Sequence, residues 1–152
     1  MADELSGALK IIDPEFVIYG PPGLDVGSLL SGYALATAAL AANGRLEEAS
    51  AVRDAAVKVW ESYLATLTSL GVGSAAAAKA GEDAAGFAAC EVARTALGFA
   101  GLRGLSSVLD GAKKAEAEAA LLRLAQKCVL QRKARGVQVI LDELSSLLTL
   151  GC

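Results

Sequence analysis

The sequence predicts a mainly α-helical fold with a short β segment near the N-terminus, and three observations carry that expectation. Its 152 residues are 54% hydrophobic but only 5% aromatic, and alanine and leucine dominate, which favours close-packed helices. From Arg45 to Leu70 apolar residues recur at strides of three and four, as one buried helix face requires. By contrast, Leu9, Ile11 and Ile12 make a short run rich in β-branched residues, better suited to a buried strand. A chain of this length can form one domain with a sizeable core.

Taken in order, Met1 to Gly7 reads as a frayed start, with a turn at Ser6-Gly7 before the strand at Leu9 to Ile12. Phe16 to Tyr19 is a second extended piece. Asp25 then stands as a good N-cap for a helix from Val26 to Ala42 that stops at Asn43-Gly44. That helix is apolar nearly all round, so it should lie centrally. A membrane span needs roughly 20 predominantly apolar residues, whereas Gly27, Ser28, Ser31, Gly32, Tyr33 and Thr37 interrupt this run. A buried core helix is the better reading.

The Arg45 to Leu70 helix turns Leu46, Ala49, Val52, Ala56, Val59 or Trp60, Tyr63, Leu67 and Leu70 inward. Glu47, Glu48, Arg53, Asp54, Lys58 and Glu61 are left outside, and Asp54 with Lys58 has favourable i,i+4 spacing. Trp60 could offer a stacking surface, but its place on the apolar stripe argues for a core anchor. Gly71 to Ser74 breaks the helix, and the alanine run Ala75 to Ala80 carries no readable chemistry. With no leading strand and no G-K-[ST], Gly71-x-Gly73 is not a phosphate loop.

A third helix is predicted over Glu82 to Phe99. Gly101, Gly104 and Gly111 punctuate a loop around a short helix, Ser106 to Leu109. Lys113 to Arg132 is a long helix with Ala117, Ala120, Leu121, Leu124, Cys128 and Leu130 or Val129 inward. The cations Arg132, Lys133 and Arg135 close it. The helix dipole favours cations there, so phosphate or membrane binding is the lesser reading of this cluster. Val137 to Leu150 is a last short helix packing back on the bundle.

Composition excludes several function classes. A net charge of -3 argues against a nucleic-acid grip, which needs a basic face. Histidine is absent, which removes His-based acid–base chemistry, Ser–His and Cys–His pairs and nearly all transition-metal sites. The three cysteines, Cys90, Cys128 and Cys152, are widely spaced and show no C-x-x-C. Neither a disulfide framework nor a zinc site is indicated, and a reducing compartment fits best. Asp3 and Glu4 stand where a signal peptide would carry positive charge, so export is not expected and a cytoplasmic location is.

The candidate chemistry is concentrated between Leu9 and Asp25, which holds all three prolines. Pro14 pushes Asp13 toward an extended conformation. Side chains there repeat with period two, so Asp13 and Glu15 can point the same way. Two hard oxygen ligands on one face suit Mg²⁺, whose remaining positions waters and substrate phosphates fill. A solvated turn with two acidic residues is the plainer alternative, and capping alone would explain Asp25.

The segment Ile11-Ile12-Asp13-Pro14-Glu15-Phe16-Val17-Ile18-Tyr19-Gly20-Pro21-Pro22-Gly23-Leu24-Asp25-Val26-Gly27 resembles the metal-binding segment of the 5-methylthioribose kinases. That family belongs to the aminoglycoside phosphotransferase and choline kinase group, with a protein-kinase-like fold, and its pattern runs I-D-P-E-F-x-x-Y-G-P-x-G-F-D-[IV]-G. A second, weaker match lies at Gly86-Phe87-Ala88-Ala89-Cys90-Glu91-Val92-Ala93-Arg94-Thr95-Ala96-Leu97-Gly98, similar to the family's later G-C-E-M-x-R-R-x-x-G helix. The resemblance implies that Asp13 and Glu15 are metal ligands and that Asp25 braces the catalytic loop. It also implies that Arg94 approaches the thiosugar, where a guanidinium fork suits hydroxyl and phosphate oxygens. At the family's second arginine position stands Thr95, which cannot replace a cation. Arg94 as a surface or ion-pairing residue remains open, and Glu91 is read as holding an arginine or a helix terminus rather than acting in catalysis.

By that resemblance, residues 1–152 form the helical C-terminal lobe of a kinase-like domain, with Mg²⁺ and ATP as the cofactor and co-substrate of the complete enzyme. The reaction implied is transfer of the ATP γ-phosphate to the 1-hydroxyl of 5-methylthioribose in methionine salvage. Such transfer also needs a nucleotide-gripping lobe, a lysine for the phosphates and a catalytic-loop aspartate. Only twelve residues precede Asp13 and none is histidine, so the family's H-G-D loop is not in this sequence and the chain alone is expected to be inactive. Expected partners are ATP and a thiosugar, without nucleic acid or membrane, and a homodimer is allowed. The alternatives are a non-catalytic helical interaction module that kept the kinase lobe as a scaffold, and a small membrane protein built on Val26 to Ala42.

Overall fold

The computed structural model describes residues 19–98 and 105–151. Among them the fold is all helical: α1 is Gly23–Ala42, α2 Leu46–Ser69, α3 Ser74–Leu97, α4 Gly111–Arg135 and α5 Gln138–Leu147. Single 3₁₀ stretches at Leu105–Ser107 and Leu148–Gly151 lie before α4 and after α5. The expected strand at Leu9 to Ile12 and most of the extended piece at Phe16 to Tyr19 fall outside the described residues.

The apolar character of α1 puts it at the centre, touching every other helix. It is long and apolar enough to cross a membrane, and 56% of its most apolar window is buried inside the bundle. The tight link Asn43–Arg45 turns the chain back into α2, with Gly44 at φ 74°, a conformation that glycine adopts without strain. The pair is antiparallel, for the Tyr63 hydroxyl far along α2 donates to the Pro22 carbonyl at 2.6 Å, before the first turn of α1.

α3 runs parallel to α1 and almost touches it. A Cβ on Gly23 would lie 2.4 Å from the Ala80 carbonyl oxygen, and one on Gly27 would lie 2.5 Å from that of Ala84. Only glycine allows this approach. The facing residues of α3, Ala80, Ala84 and Ala88, are buried and equally small. α4 returns antiparallel to α3, with Arg132 near its end 3.9 Å from Asp83 near the start of α3.

Larger side chains fill the rest. Leu30, Leu105, Leu121, Leu124, Ile140 and Leu144 are almost wholly buried, each contributing about 2 kcal/mol of transfer free energy. Trp60 is the core anchor its stripe implied, 8% exposed, with its ring edge against Gly81.

The structure corrects several sequence expectations. α1 begins at Gly23, so Pro22 takes the N-cap position and Asp25 sits inside the first turn, where its charge still favours the helix dipole. α3 begins at Ser74 rather than Glu82: the alanine run, which has the highest helix propensity of any composition, is helical. Leu70 is 73% exposed because α2 ends one residue earlier. Neither Val129 nor Leu130 turns inward, at 56% and 73% exposed, since Leu121, Leu124 and Cys128 already fill the inner arc of α4. Asp54 is 3.0 Å from its neighbour Arg53 instead of pairing with Lys58. α4 starts earlier than expected, at Gly111, where the Asp110 carboxylate accepts from the Ala112 and Lys113 amides at 2.9 and 3.0 Å. These two bonds hold Asp110 below the usual carboxylate range.

Candidate functional site

Asp13 and Glu15, the expected metal ligands, lie outside the described residues. Asp25 is exposed at the start of α1. Nearby, partial burial is the main cause that raises the Tyr63 phenol above its ordinary pKa, and the Asp25 charge adds to it. The chain thus enters the bundle through a fixed corner: Pro21 accepts from the Leu24 amide at 3.0 Å, and Pro22 is held by Tyr63.

Arg94 belongs to the last turn of α3, and its guanidinium meets the Glu91 carboxylate at 2.6 Å. The pairing raises the Arg94 pKa further. Glu91 is therefore the holder that the sequence allowed for. Thr95, at the position of the missing second arginine, is turned the other way: it is 1% exposed and its hydroxyl is without a partner. Asp25 and Arg94 are not brought together. Since α1 and α3 start at the same end of the bundle, Asp25 sits level with Asp83, and Arg94 lies eleven residues on, about 16 Å along the helix axis.

Between these two points the outer side of α3 mixes polar and apolar residues, half-buried at its start and exposed from Cys90 to Leu97 among the described residues. Asp83, Phe87, Cys90, Arg94 and Leu97 recur at helical spacing on one stripe. Its first half, with Gly86, forms a cavity of about 390 Å³ against Val129 and Arg132 of α4. Asp83 is bound closely by Lys79 and is also within 3.9 Å of Arg132, whose aliphatic stem lies over Gly86. The sequence reading missed this ion pair, because its partners are far apart in the chain and no local spacing links them. A larger groove of about 590 Å³ opens at the same end between Trp60, Leu64, Ala77 and the α4–α5 junction, with Lys133 and Arg135 on its lip. Arg135 is held by Asp142 and Gln131. Among the described residues no group of three or more Cys, Asp or Glu could hold a metal ion.

Among the described residues these features define a helical bundle with one apolar central helix, a carboxylate in its first turn and an exposed arginine near the end of α3. Sequence comparison finds similar proteins. A methylthioribose kinase of Bacillus cereus (strain AH820) is 31% identical over 134 residues, covering 79% of this chain and 33% of the relative. One from Bacillus cereus (strain B4264) is 30% identical over 145 residues, covering 86% and 36%. One from Bacillus thuringiensis (strain Al Hakam) is 31% identical over 134 residues, covering 79% and 33%. Over most of its length the chain is thus similar to methylthioribose kinases, and it spans about a third of the length of these relatives. No family model matches the chain, and no solved structure matches it.

Proposed function

We propose that residues 1–152 act as the helical C-terminal lobe of a methylthioribose-kinase-type phosphotransferase. The complete enzyme transfers the ATP γ-phosphate to the 1-hydroxyl of 5-methylthioribose in the cytoplasm. What carries the reading is the match of most of this chain to kinases of that name, together with the Asp13-Pro14-Glu15 triplet that precedes the central helix in the sequence.

In this reading Asp13 is the principal Mg²⁺ ligand and Glu15 a second ligand or a holder of bound water. Two carboxylates suffice, because Mg²⁺ completes its octahedron with waters and phosphate oxygens. An ion held by Asp13 and Glu15 would supply charge neutralisation for the transferred phosphate. Asp25, fixed in the first turn of α1, braces the catalytic loop. Arg94 is a substrate contact, oriented by Glu91. A nucleotide-gripping lobe and a catalytic aspartate come from the part of the kinase that the match does not cover.

The test mixes this chain with the unmatched two-thirds of the Bacillus cereus (strain AH820) enzyme and titrates Mg-ATP calorimetrically. Binding that appears only in the mixture and vanishes with Asp13→Ala supports the reading. Binding that survives Asp13→Ala overturns it. The second reading, a non-catalytic interaction module, draws on one observation: the second arginine of the family's helix is replaced by Thr95, which is buried in the core. It predicts partner binding with no nucleotide dependence.

A further inference from the structure

We infer that the groove between the second half of α2, the start of α3 and the α4–α5 junction binds a small amphipathic carboxylate, its apolar body on Trp60, Leu64 and Ala77 and its charge at Lys133. The inference goes beyond the kinase reading and does not rest on it. Gly81, in the groove wall, and Arg94 are thirteen residues apart, about 20 Å along α3, so the thiosugar contact of that reading lies elsewhere.

Three observations converge on this groove. Its size is the first: about 590 Å³ falls within the range of roughly 300 to 1,000 Å³ that small-molecule sites occupy. The floor is the second. Ala77 is buried, Trp60 is 8% exposed and Leu64 38% exposed, so an aromatic edge and aliphatic carbon are offered with few polar atoms to desolvate. Such sites are mostly apolar, with a few polar groups that fix orientation. Charge is the third. Glu82, Lys133 and Arg135 are the charged side chains of the rim. Glu82 shares Lys79 with Asp83, whose second cation is Arg132, so two cations balance these two carboxylates. Arg135 is bound by Asp142. Lys133 pairs with no carboxylate among the described residues, and its ammonium is the charge left over.

The backbone shows where the charged end would sit. A Cβ on Gly81 would lie 3.4 Å from the Val137 nitrogen and 3.4 Å from two carbons of the Trp60 ring. With glycine there, the floor stays open from the indole to the first turn of α5, which starts without a side-chain cap. A carboxylate between Lys133 and that turn meets one full positive charge and the favourable end of the α5 dipole, while its carbon body runs back over Trp60 toward Leu64. One carboxylate matches one spare ammonium. A phosphate dianion would need a second cation, and the arginine on the rim is already engaged.

The test uses the intact 152-residue chain and follows Trp60, the only tryptophan in the sequence, by fluorescence during titration with phenylbutyrate. A saturable change is expected. Phenylbutanol, which lacks the charge, and phenyl phosphate, which carries nearly two, should each bind about tenfold more weakly. Lys133→Gln should cost phenylbutyrate about tenfold and leave phenylbutanol unchanged, since a bond to a charged partner is lost in the first case alone. Ala78→Phe fills the groove and should weaken both probes by about tenfold or more. Lys133 and Ala78 are exposed, so neither replacement disturbs the core. No saturable change with phenylbutyrate, or binding that both variants leave intact, overturns the inference. Equal binding of phenylbutyrate and phenylbutanol makes the groove an unselective apolar patch and overturns it. Phenyl phosphate binding more tightly than phenylbutyrate and lost with Lys133→Gln makes it a phosphate site, which overturns it too. A dimer in sedimentation that Ala78→Phe disrupts, with no probe bound, makes a second copy the occupant and has the same consequence.

Discussion

α3 has two unlike sides. Its inner side is alanine and glycine from Ala77 to Ala88, and backbones come so close there that a single methyl group would collide. Its outer side carries Asp83, which pairs with Arg132 of α4, a half-buried aromatic ring, an exposed thiol and the exposed Arg94. The first side is packed and the second is more exposed. A substitution on the inner side should therefore cost far more stability than one at the exposed Cys90 or Arg94.

The largest expected effect tests the inner side at its one bulky contact. Trp60 lies against Gly81 and is 8% exposed, so Trp60→Ala should cost about 3 to 5 kcal/mol in urea unfolding. A loss under 1 kcal/mol would show that Gly81 does not seat a structural ring. Next, Gly27→Ala replaces a helix-interior glycine, a change that ordinarily adds about 1 kcal/mol of helix propensity. Here the new methyl would meet the Ala84 carbonyl oxygen at 2.5 Å, and overpacking should win by about 2 kcal/mol net. A more stable Gly27→Ala variant would break the distinction between the two sides.

Thr95 sharpens it from another direction. Its hydroxyl is buried without a partner, so Thr95→Val should raise stability by about 1 kcal/mol, read from the urea midpoint. Asp110 caps α4, and Asp110→Ala should lower the melting temperature near neutral pH. Because the folded-state pKa is depressed, the stabilisation is present above the unfolded carboxylate value and is lost as pH falls through the folded one. Wild type and variant should therefore converge in strong acid, and a gap that persists at pH 1 would exclude the carboxylate as its source. The smallest effect falls on the outer side. Arg94→Ala should leave the melting curve unchanged within error, its partner being a screened surface carboxylate.

The cysteines repeat the division between inside and outside. Cys128 is buried on α4, and desolvation is the main cause that pushes its thiol up to about 12. In a Cys152→Ser background, maleimide at pH 8 should label Cys90 at once and Cys128 only on unfolding.

Much of the inside was legible in the sequence. Helical periodicity gave α2 and its Trp60 anchor, and uniform apolarity gave the central place of α1, because both depend on local composition. The start of α3 was hidden by reading Ala75 to Ala80 as featureless, although alanine alone is enough for helix. Inward and outward residues were misjudged at Leu70, which lies just past the end of α2, and at Val129 and Leu130, which flank an inner arc already filled by Leu121, Leu124 and Cys128. The outer side was legible only as letters in a family pattern. The sequence left open whether Glu91 holds an arginine, and the structure pairs it with Arg94, but that Asp83 meets Arg132 needed the packing of α3 on α4.

One small contact has a larger mechanical meaning. By donating to the Pro22 carbonyl, Tyr63 pins the point where the leading peptide meets the first helix to the far end of the second. The corner at Pro22 is therefore held by two helices rather than one, and Tyr63→Phe would loosen that pivot while leaving the buried leucines untouched.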